Sequence, residues 1–156
     1  MSPDNTDSAG IKFPPPFIFL LSILIGLGIN RFWPMSVVPA TLAMPLGVAS
    51  LAFSLILVML GFRELRRHET TIRPDEPSSA IVKTGPYRFT RNPLYVSLSA
   101  LHLGIALWTN ILWVVLMLIP AWVVMTTQVI AREEAYLERA FGKDYLSYKA
   151  SVRRWI

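Results

Sequence analysis

Four long apolar stretches alternate with polar segments in this chain, and they restrict its fold more than any other feature. The stretches run from about Phe17 to Trp33, from Thr41 to Phe62, from Leu94 to Trp108 and from Ile111 to about Val129. A chain of 156 residues that is 53% apolar and 16% charged has more apolar surface than a small soluble core can bury. We therefore expect an all-α polytopic membrane protein with about four transmembrane helices, the last two forming a hairpin that turns at Thr109–Asn110.

The positions of the basic residues predict the orientation in the membrane. Of the 15 Lys and Arg residues, seven lie between Arg63 and Arg91 and six between Arg132 and Arg154. Because basic loops remain on the cytoplasmic side, both segments are expected there, and four crossings place the N-terminus there as well. The same rule accounts for the net charge of +5, so the lipid bilayer is the expected partner and nucleic acid is not.

The remaining composition limits the chemistry and suggests three regions. The chain has no cysteine, which excludes disulfides, thiolate metal sites and a cysteine nucleophile, and we expect no metal site. Asp4 and Asp7 precede the first stretch, where a signal peptide would be basic. We expect a disordered tail over 1–16, two transmembrane helices over 17–62, and a core over 63–156 that contains a cytoplasmic loop, the hairpin 94–130 and C-terminal helices.

The first polar segment, residues 63–93, leads into the third helix. Asn92 precedes a proline and is predicted to cap that helix, because asparagine is a favourable N-cap residue. Tyr95, Ser99 and His102 follow at helical spacing and share one face, which should point into the helix bundle. His102 is either a functional group or an interhelical hydrogen-bonding contact, and the second alternative is the more common one.

The second polar segment, residues 131–155, follows the hairpin. It predicts a helix from Ala131, a break at Gly142 and a further short helix, with Tyr148, Val152 and Trp155 anchoring it at the membrane interface.

Glu133 and Glu134 stand near the end of the fourth apolar stretch, where the helix dipole disfavours negative charge. Arg91, Arg132 or a bound cationic ligand would compensate them. Since the hairpin returns the chain to the same side, Arg91 and the glutamate pair are expected to converge.

These two segments resemble the isoprenylcysteine carboxyl methyltransferase family and related phospholipid methyltransferase-like membrane enzymes, especially their small prokaryotic members. That family has G-x-Y-R-x-x-R-[HN]-P-x-Y-x-G before a helical hairpin and E-E…L…F-G-x-x-Y-x-x-Y after it. The matching residues are Gly85, Tyr87, Arg88, Arg91, Asn92, Pro93, Tyr95, Glu133, Glu134, Leu137, Phe141, Gly142, Tyr145 and Tyr148. Asn92 stands where the carboxyl methyltransferases usually have histidine, and Ser97 replaces a glycine.

The resemblance implies an S-adenosylmethionine-dependent membrane methyltransferase that releases S-adenosylhomocysteine and acts on a lipophilic small-molecule or prenylated acceptor. It implies catalytic roles for Arg91 and Glu134, and substrate binding by Arg88 and Arg132. It implies cofactor binding by Lys83, Thr84, Gly85, Tyr87, Arg91, Asn92, Pro93, Tyr95, Glu133 and Glu134, with His102 lining the pocket.

Three alternatives remain open at the level of sequence. The acceptor is a carboxylate, as in the carboxyl O-methyltransferases, or it is a phospholipid amine or a thiol. An amine acceptor would need a general base such as Glu134 or His102, whereas a carboxylate would need only an orienting arginine. In the third alternative, the chain is a non-enzymatic membrane scaffold protein that binds no cofactor.

Overall fold

The computed structural model describes residues 14–70 and 80–156, so most of the expected disordered tail lies outside the described residues. Helices account for 77% of the structure, and the described residues include no strand, which confirms the all-α prediction. The elements are α1 (Pro15–Asn30), α2 (Ala40–Arg67), a 3-10 turn (Gly85–Arg88), α3 (Pro93–Trp108), α4 (Leu112–Val124), a π-helical turn (Met125–Ile130), α5 (Ala131–Phe141) and α6 (Lys143–Ser151).

The helix boundaries follow local chemistry. Proline opens both α1 and α3, where its missing N–H leaves no helical hydrogen bond unmade. The predicted turn between α3 and α4 is confirmed, because Asn110 adopts a positive φ of 56° that reverses the chain. Gly142, with a φ of 50°, separates α5 from α6, as predicted.

By length and composition, two helices in the described part of the chain can cross a membrane. They are α2, with 28 residues, and the continuous 30-residue helix Leu112–Phe141 formed by α4, the π-helical turn and α5. The other two apolar helices, α1 and α3, have 16 residues each and are about 24 Å long. The apolar part of the long helix ends at Ile130, and α5 is its polar continuation.

The apolar helices form two closely packed pairs, α2 with α3 and α1 with α4. Glycines allow these close approaches, as is common in membrane helices. A Cβ atom on Gly26 would lie 2.7 Å from the Val114 backbone, and one on Gly47 would lie 2.6 Å from the Trp108 backbone. The α3–α4 hairpin therefore lies between α1 and α2 and presents its base to the two polar segments.

The prediction that the C-terminal aromatic residues anchor to the membrane interface is wrong for Tyr148. This side chain is 5% exposed, and its hydroxyl donates a hydrogen bond of 2.7 Å to the Tyr87 carbonyl. Trp155 packs against Trp122 of α4, with ring centroids 6.0 Å apart. The helical pattern identified an apolar face correctly, but that face packs against the protein because the preceding loop covers it.

Candidate functional site

The two polar segments meet at the base of the hairpin and enclose a cavity of about 150 Å³. The end of α2, the segment before the 3-10 turn, the start of α3, and helices α5 and α6 all contribute to its wall. The lining residues are Leu65, Thr70, Ala80, Ile81, Val82, Tyr87, Arg91, Asn92, Pro93, Leu94, Tyr95, Glu133, Glu134, Leu137, Tyr145 and Tyr148.

The C-terminal segment, residues 152–156 after α6, holds the start of α3 in place. The Arg91 amide donates a hydrogen bond of 2.9 Å to the Arg153 carbonyl, and the Thr90 hydroxyl donates one of 3.1 Å to the Arg154 carbonyl. Asn92 occupies the N-cap position of α3, but its side chain makes no capping hydrogen bond. Its Nδ2 instead donates to the Arg154 carbonyl at 2.9 Å, because the C-terminal segment lies against it.

Glu134 is the centre of an ion-pair cluster that joins α3, α5, α6 and the C-terminal segment. Arg154 binds both of its carboxylate oxygens, at 2.9 and 2.7 Å, and Arg91 Nη1 lies 3.1 Å from Oε1. Lys149 Nζ lies 3.6 Å from Oε2. Burial raises the pKa of Glu134, but the hydrogen bonds from Arg154 and the charge of Arg91 outweigh it and hold the pKa below the usual value. Glu134 is therefore an ionised carboxylate whose charge is fully compensated within the protein.

The neighbouring Glu133 has a different environment. Its Oε1 accepts a hydrogen bond of 2.5 Å from the Tyr95 hydroxyl. Burial, and to a smaller extent the nearby charge of Glu134, raises the pKa of Glu133, whereas the hydrogen bond from Tyr95 lowers it. Together these effects place the pKa at about 7. Near neutral pH this carboxyl group is therefore divided between its two protonation states, and a cationic or hydroxyl-bearing ligand would favour the ionised one.

Arg91 has one donor that the protein does not use. Its side chain is 9% exposed, and its Nε is buried without a hydrogen-bond acceptor in the described part of the chain. Its Nη1 atom contacts Glu134 and also donates to the Tyr145 hydroxyl at 3.4 Å. A buried donor without a partner is costly, so a ligand that supplies an acceptor there would be stabilised.

Three tyrosines, Tyr87, Tyr145 and Tyr148, also line the cavity. Burial raises the pKa of Tyr145 to about 12, and the nearby Glu134 contributes in the same direction. Burial also raises the pKa values of Tyr87 and Tyr148. These phenols stay protonated at physiological pH and provide neutral hydrogen-bonding groups and aromatic surface in the same cavity.

The segment before the cavity is held from below by α2. The Thr84 hydroxyl donates a hydrogen bond of 2.6 Å to Glu64 Oε2, and His68 Nε2 lies 3.0 Å from the same hydroxyl. Gly85 has a φ of 58°, and a Cβ atom there would lie 2.6 Å from Glu64 Cγ. The glycine of the motif therefore allows the chain to turn directly over Glu64.

The structure brings together seven of the residues that the resemblance implied for the cofactor. They are Tyr87, Arg91, Asn92, Pro93, Tyr95, Glu133 and Glu134, all of which line the cavity. It does not bring Lys83, Thr84 or Gly85 into the cavity wall; the Lys83 amine lies 3.5 Å from the Asp144 carbonyl, outside it.

His102 lies away from the cavity, in the interior of the helix bundle. It is fully buried, and its Nε2 and Nδ1 atoms lie 2.7 Å from the Val114 carbonyl and 3.3 Å from the Ser22 hydroxyl. The two arginines implied for substrate binding lie apart as well. Arg88 is exposed beside the 3-10 turn, and Arg132 lines a separate apolar groove between α1 and α4.

Sequence reasoning did not assign four residues that shape the site, namely Tyr145, Tyr148, Lys149 and Arg154. The two tyrosines belong to the matched motif and could have been assigned to the site, because their spacing puts both on one face of α6. Arg154 carried no such signal, since it lies beyond the last helix and is 20 residues from its partner Glu134.

Comparison with known proteins gives a consistent result. The family model described as phospholipid methyltransferase matches residues 42–144, from the start of α2 to the start of α6. An uncharacterized protein of Haemophilus influenzae is 41% identical over 65 residues, which cover 40% of this chain and 100% of the relative. No solved structure matches. Because the family model covers well over half of the chain, including the first polar segment, the hairpin and α5, this chain belongs to the phospholipid methyltransferase family.

Proposed function

We propose that this protein is an integral membrane methyltransferase that uses S-adenosylmethionine to methylate a lipophilic acceptor. One observation carries the proposal: the two motif segments, far apart in sequence, converge on one cavity whose wall includes Glu133, with its raised pKa, and Arg91, whose buried Nε has no acceptor among the described residues. A buried donor without an acceptor is uncommon in folded proteins, and shifted carboxyl pKa values are frequent at functional sites, so both features support the proposal.

The residues of this cavity fit the chemical groups of S-adenosylmethionine. Glu133 offers a carboxylate to an ammonium or a ribose diol, and Arg91 offers a donor to a carboxylate. Tyr87, Tyr145 and Tyr148 offer aromatic surface and hydroxyl groups to a sulfonium or an adenine ring. When bound, the cofactor would supply an electrophilic methyl group on a positively charged sulfur.

Glu134 has a positioning role in this proposal. Its charge is compensated by Arg154, Arg91 and Lys149, so it is not available as a base. It holds Arg91 against α5 and thereby fixes the guanidinium in the cavity wall. Catalysis then rests mainly on orienting donor and acceptor for in-line displacement, which is a large contribution in bimolecular reactions.

An apolar groove of about 500 Å³ between α1 and α4 is the proposed route for the acceptor. Its wall consists of side chains such as Leu21, Ile25 and Val124, and Arg132 stands at its polar end. Val129 lines the same groove and lies four residues before Glu133 on the same continuous helix. An acyl or prenyl chain in the groove would place its polar end near Arg132, the residue directly before Glu133.

Two further parts of the proposal concern the acceptor and the topology. The acceptor is a carboxylate, as in the carboxyl O-methyltransferases that the motifs resemble, or a lipid amine or thiol. All four apolar helices cross the inner membrane, α1 and α3 with a locally thinned bilayer or polar ends at the interfaces, and both termini face the cytoplasm.

Transfer of a labelled methyl group tests the proposal. Membranes that contain the protein are incubated with methyl-tritiated S-adenosylmethionine, and lipids are extracted and counted. We expect label in the organic phase for the wild type, strongly reduced label for Glu133→Gln, and wild-type label for Asp144→Asn, at an exposed carboxylate of α6 outside the cavity wall.

The chemistry of the labelled product identifies the acceptor. An O-methyl ester releases its label in mild alkali, whereas an N-methyl or S-methyl product keeps it. If folded wild-type protein transfers no label to lipid or to prenylated peptide, and binds no cofactor, the methyltransferase proposal is wrong and a scaffold protein becomes the better account.

A further inference from the structure

Three arginines form a basic patch on the outer face of α2, on the side away from the cavity. Arg63, Arg66 and Arg67 are all exposed and, at spacings of three and four residues, lie on one side of the helix. Leu65 of the same turn is buried and lines the candidate site, and Glu64 is buried beneath Thr84. The patch and the cavity are therefore separate surfaces of one helix.

The charge of this patch is only partly compensated. Arg67 Nη1 lies 3.3 Å from Glu64 Oε1, and its side chain remains 60% exposed. In the described ranges 14–70 and 80–156, neither Arg63 nor Arg66 forms an ion pair within 4.0 Å. The Thr84 hydrogen bond and, to a smaller extent, the charge of Arg63 help to lower the pKa of Glu64, but the described part of the protein holds neither guanidinium group in a close ion pair.

Apolar side chains adjoin the arginines on the membrane side. Met59 and Phe62 join the three arginines in lining an open cleft of about 520 Å³. Ile56 and Met59, about two turns and one turn before Arg63, are 58% and 62% exposed. One surface therefore combines a cationic end and an apolar stem, separated by about one helical turn of 5.4 Å.

We propose that this cleft binds one anionic phospholipid of the surrounding membrane, independently of the candidate methyl-transfer site. Its phosphate lies against Arg63 and Arg66, and its acyl chain runs along Met59 and Ile56. Guanidinium groups bind phosphate through paired hydrogen bonds, and arginines at a membrane surface favour lipids of net negative charge. The requirement for both charge and apolar length distinguishes a lipid from a soluble anion.

Native mass spectrometry of the detergent-purified full chain tests this proposal. The protein is titrated with phosphatidylglycerol and with phosphatidylcholine of the same acyl chains. We expect phosphatidylglycerol to be retained with a preference of about tenfold, and this preference to disappear in R63Q/R66Q. The control R139Q/K143Q removes two exposed cations outside the cleft and should keep the preference.

Two further measurements separate the possible sources of the anion and the role of the apolar stem. Inorganic phosphate in excess should not displace the lipid, and M59S should weaken retention of long-chain more than of short-chain phosphatidylglycerol. Equal retention by R63Q/R66Q and wild type, an equal loss in R139Q/K143Q, or full displacement by phosphate would each overturn the proposal. Because every substituted side chain is exposed, circular dichroism should show the wild-type helix content in every variant.

Discussion

The Tyr95 hydroxyl and the Glu133 carboxylate, 38 residues apart in sequence, are joined by a hydrogen bond of 2.5 Å. The bond connects the first turn of α3 to the first turn of α5, and so links the beginning of the hairpin with the polar helix that follows it. It also places the carboxyl group with the raised pKa against the cavity wall. The central features of the site therefore depend on how the hairpin returns the chain to its starting side.

Removing this hydroxyl tests its contribution. In Tyr95→Phe, Glu133 loses its hydrogen-bond donor, and we expect affinity for S-adenosylmethionine to fall about tenfold, the loss expected for a hydrogen bond to a charged group. Isothermal titration measures the change. Tyr136→Phe, at a buried tyrosine of α5 that does not line the cavity, is the control and should bind normally. Equal affinities in the two variants would contradict the role of Tyr95.

Cofactor affinity should depend on pH through Glu133. Burial raises the pKa of this carboxyl group to about 7, so the free site is mostly protonated below that pH. A ligand that binds the carboxylate must first displace the proton, so affinity should rise as pH increases from about 5.5 to 7. In Glu133→Gln this rise should vanish. A rise of the same slope in the variant would assign the titration to another group.

The same shift has a consequence for stability. The folded-state pKa of Glu133 lies above the ordinary value of 4.5, so folding favours the protonated form. This contribution to stability is present at low pH and is lost as pH rises from about 4.5 to 7. Glu133→Gln should therefore be more stable than wild type at pH 8 and should gain little at pH 5, as measured by thermal unfolding in detergent. A gain of equal size at both pH values would contradict the sign.

Arg154 should contribute to stability through Glu134. Its removal in Arg154→Gln leaves a buried carboxylate with weaker partners, and we expect a loss of about 1–2 kcal/mol after allowing for screening at a partly exposed side chain. Arg153→Gln is the matched control, because Arg153 is exposed and contributes only its backbone carbonyl to the Arg91 amide. If chemical denaturation gives the same stability for both variants, the ion-pair cluster is not a stabilising element.

Gly85→Ala separates backbone strain from steric contact. The positive φ alone should cost about 1 kcal/mol, and the clash of the new Cβ with Glu64 should add to it. In a Glu64→Ala background the contacting side-chain atoms are absent, so Gly85→Ala made in that background reports the strain alone. We expect a clearly larger fall in melting temperature for Gly85→Ala made in the wild-type background. Equal effects would mean that the contact with Glu64 is relieved by a small shift.

Particular residues explain how much the sequence predicted. The apolar stretches, the turn at Asn110 and the break at Gly142 gave the helices and the hairpin, because these signals are local. The convergence of Arg91 with Glu134 was predicted from topology alone and is confirmed at 3.1 Å. Membrane crossing by α1 and α3 stays a prediction, because their 16 residues fall just short of the range of about 17–25 that spans a bilayer.

Other features depended on long-range contacts that no local pattern reports. Asn92 was expected to cap α3, but its side chain instead donates a hydrogen bond to the Arg154 carbonyl. Arg154 has no periodic or motif relationship with Glu134, and Tyr148 is buried because the loop before α3 covers it. Such residues are identified only when distant segments are placed together.

Calorimetric titration of the purified protein with S-adenosylmethionine and S-adenosylhomocysteine tests the central claim most directly. The account predicts saturable binding at one site by wild type, weakened in Arg91→Lys, which keeps the charge beside Glu134 but lacks the guanidinium donor in the cavity. Arg139→Lys, at an exposed arginine of α5, should bind as wild type does. Absence of binding by folded wild-type protein, or undiminished binding by Arg91→Lys, would contradict the assignment of this cavity to the cofactor.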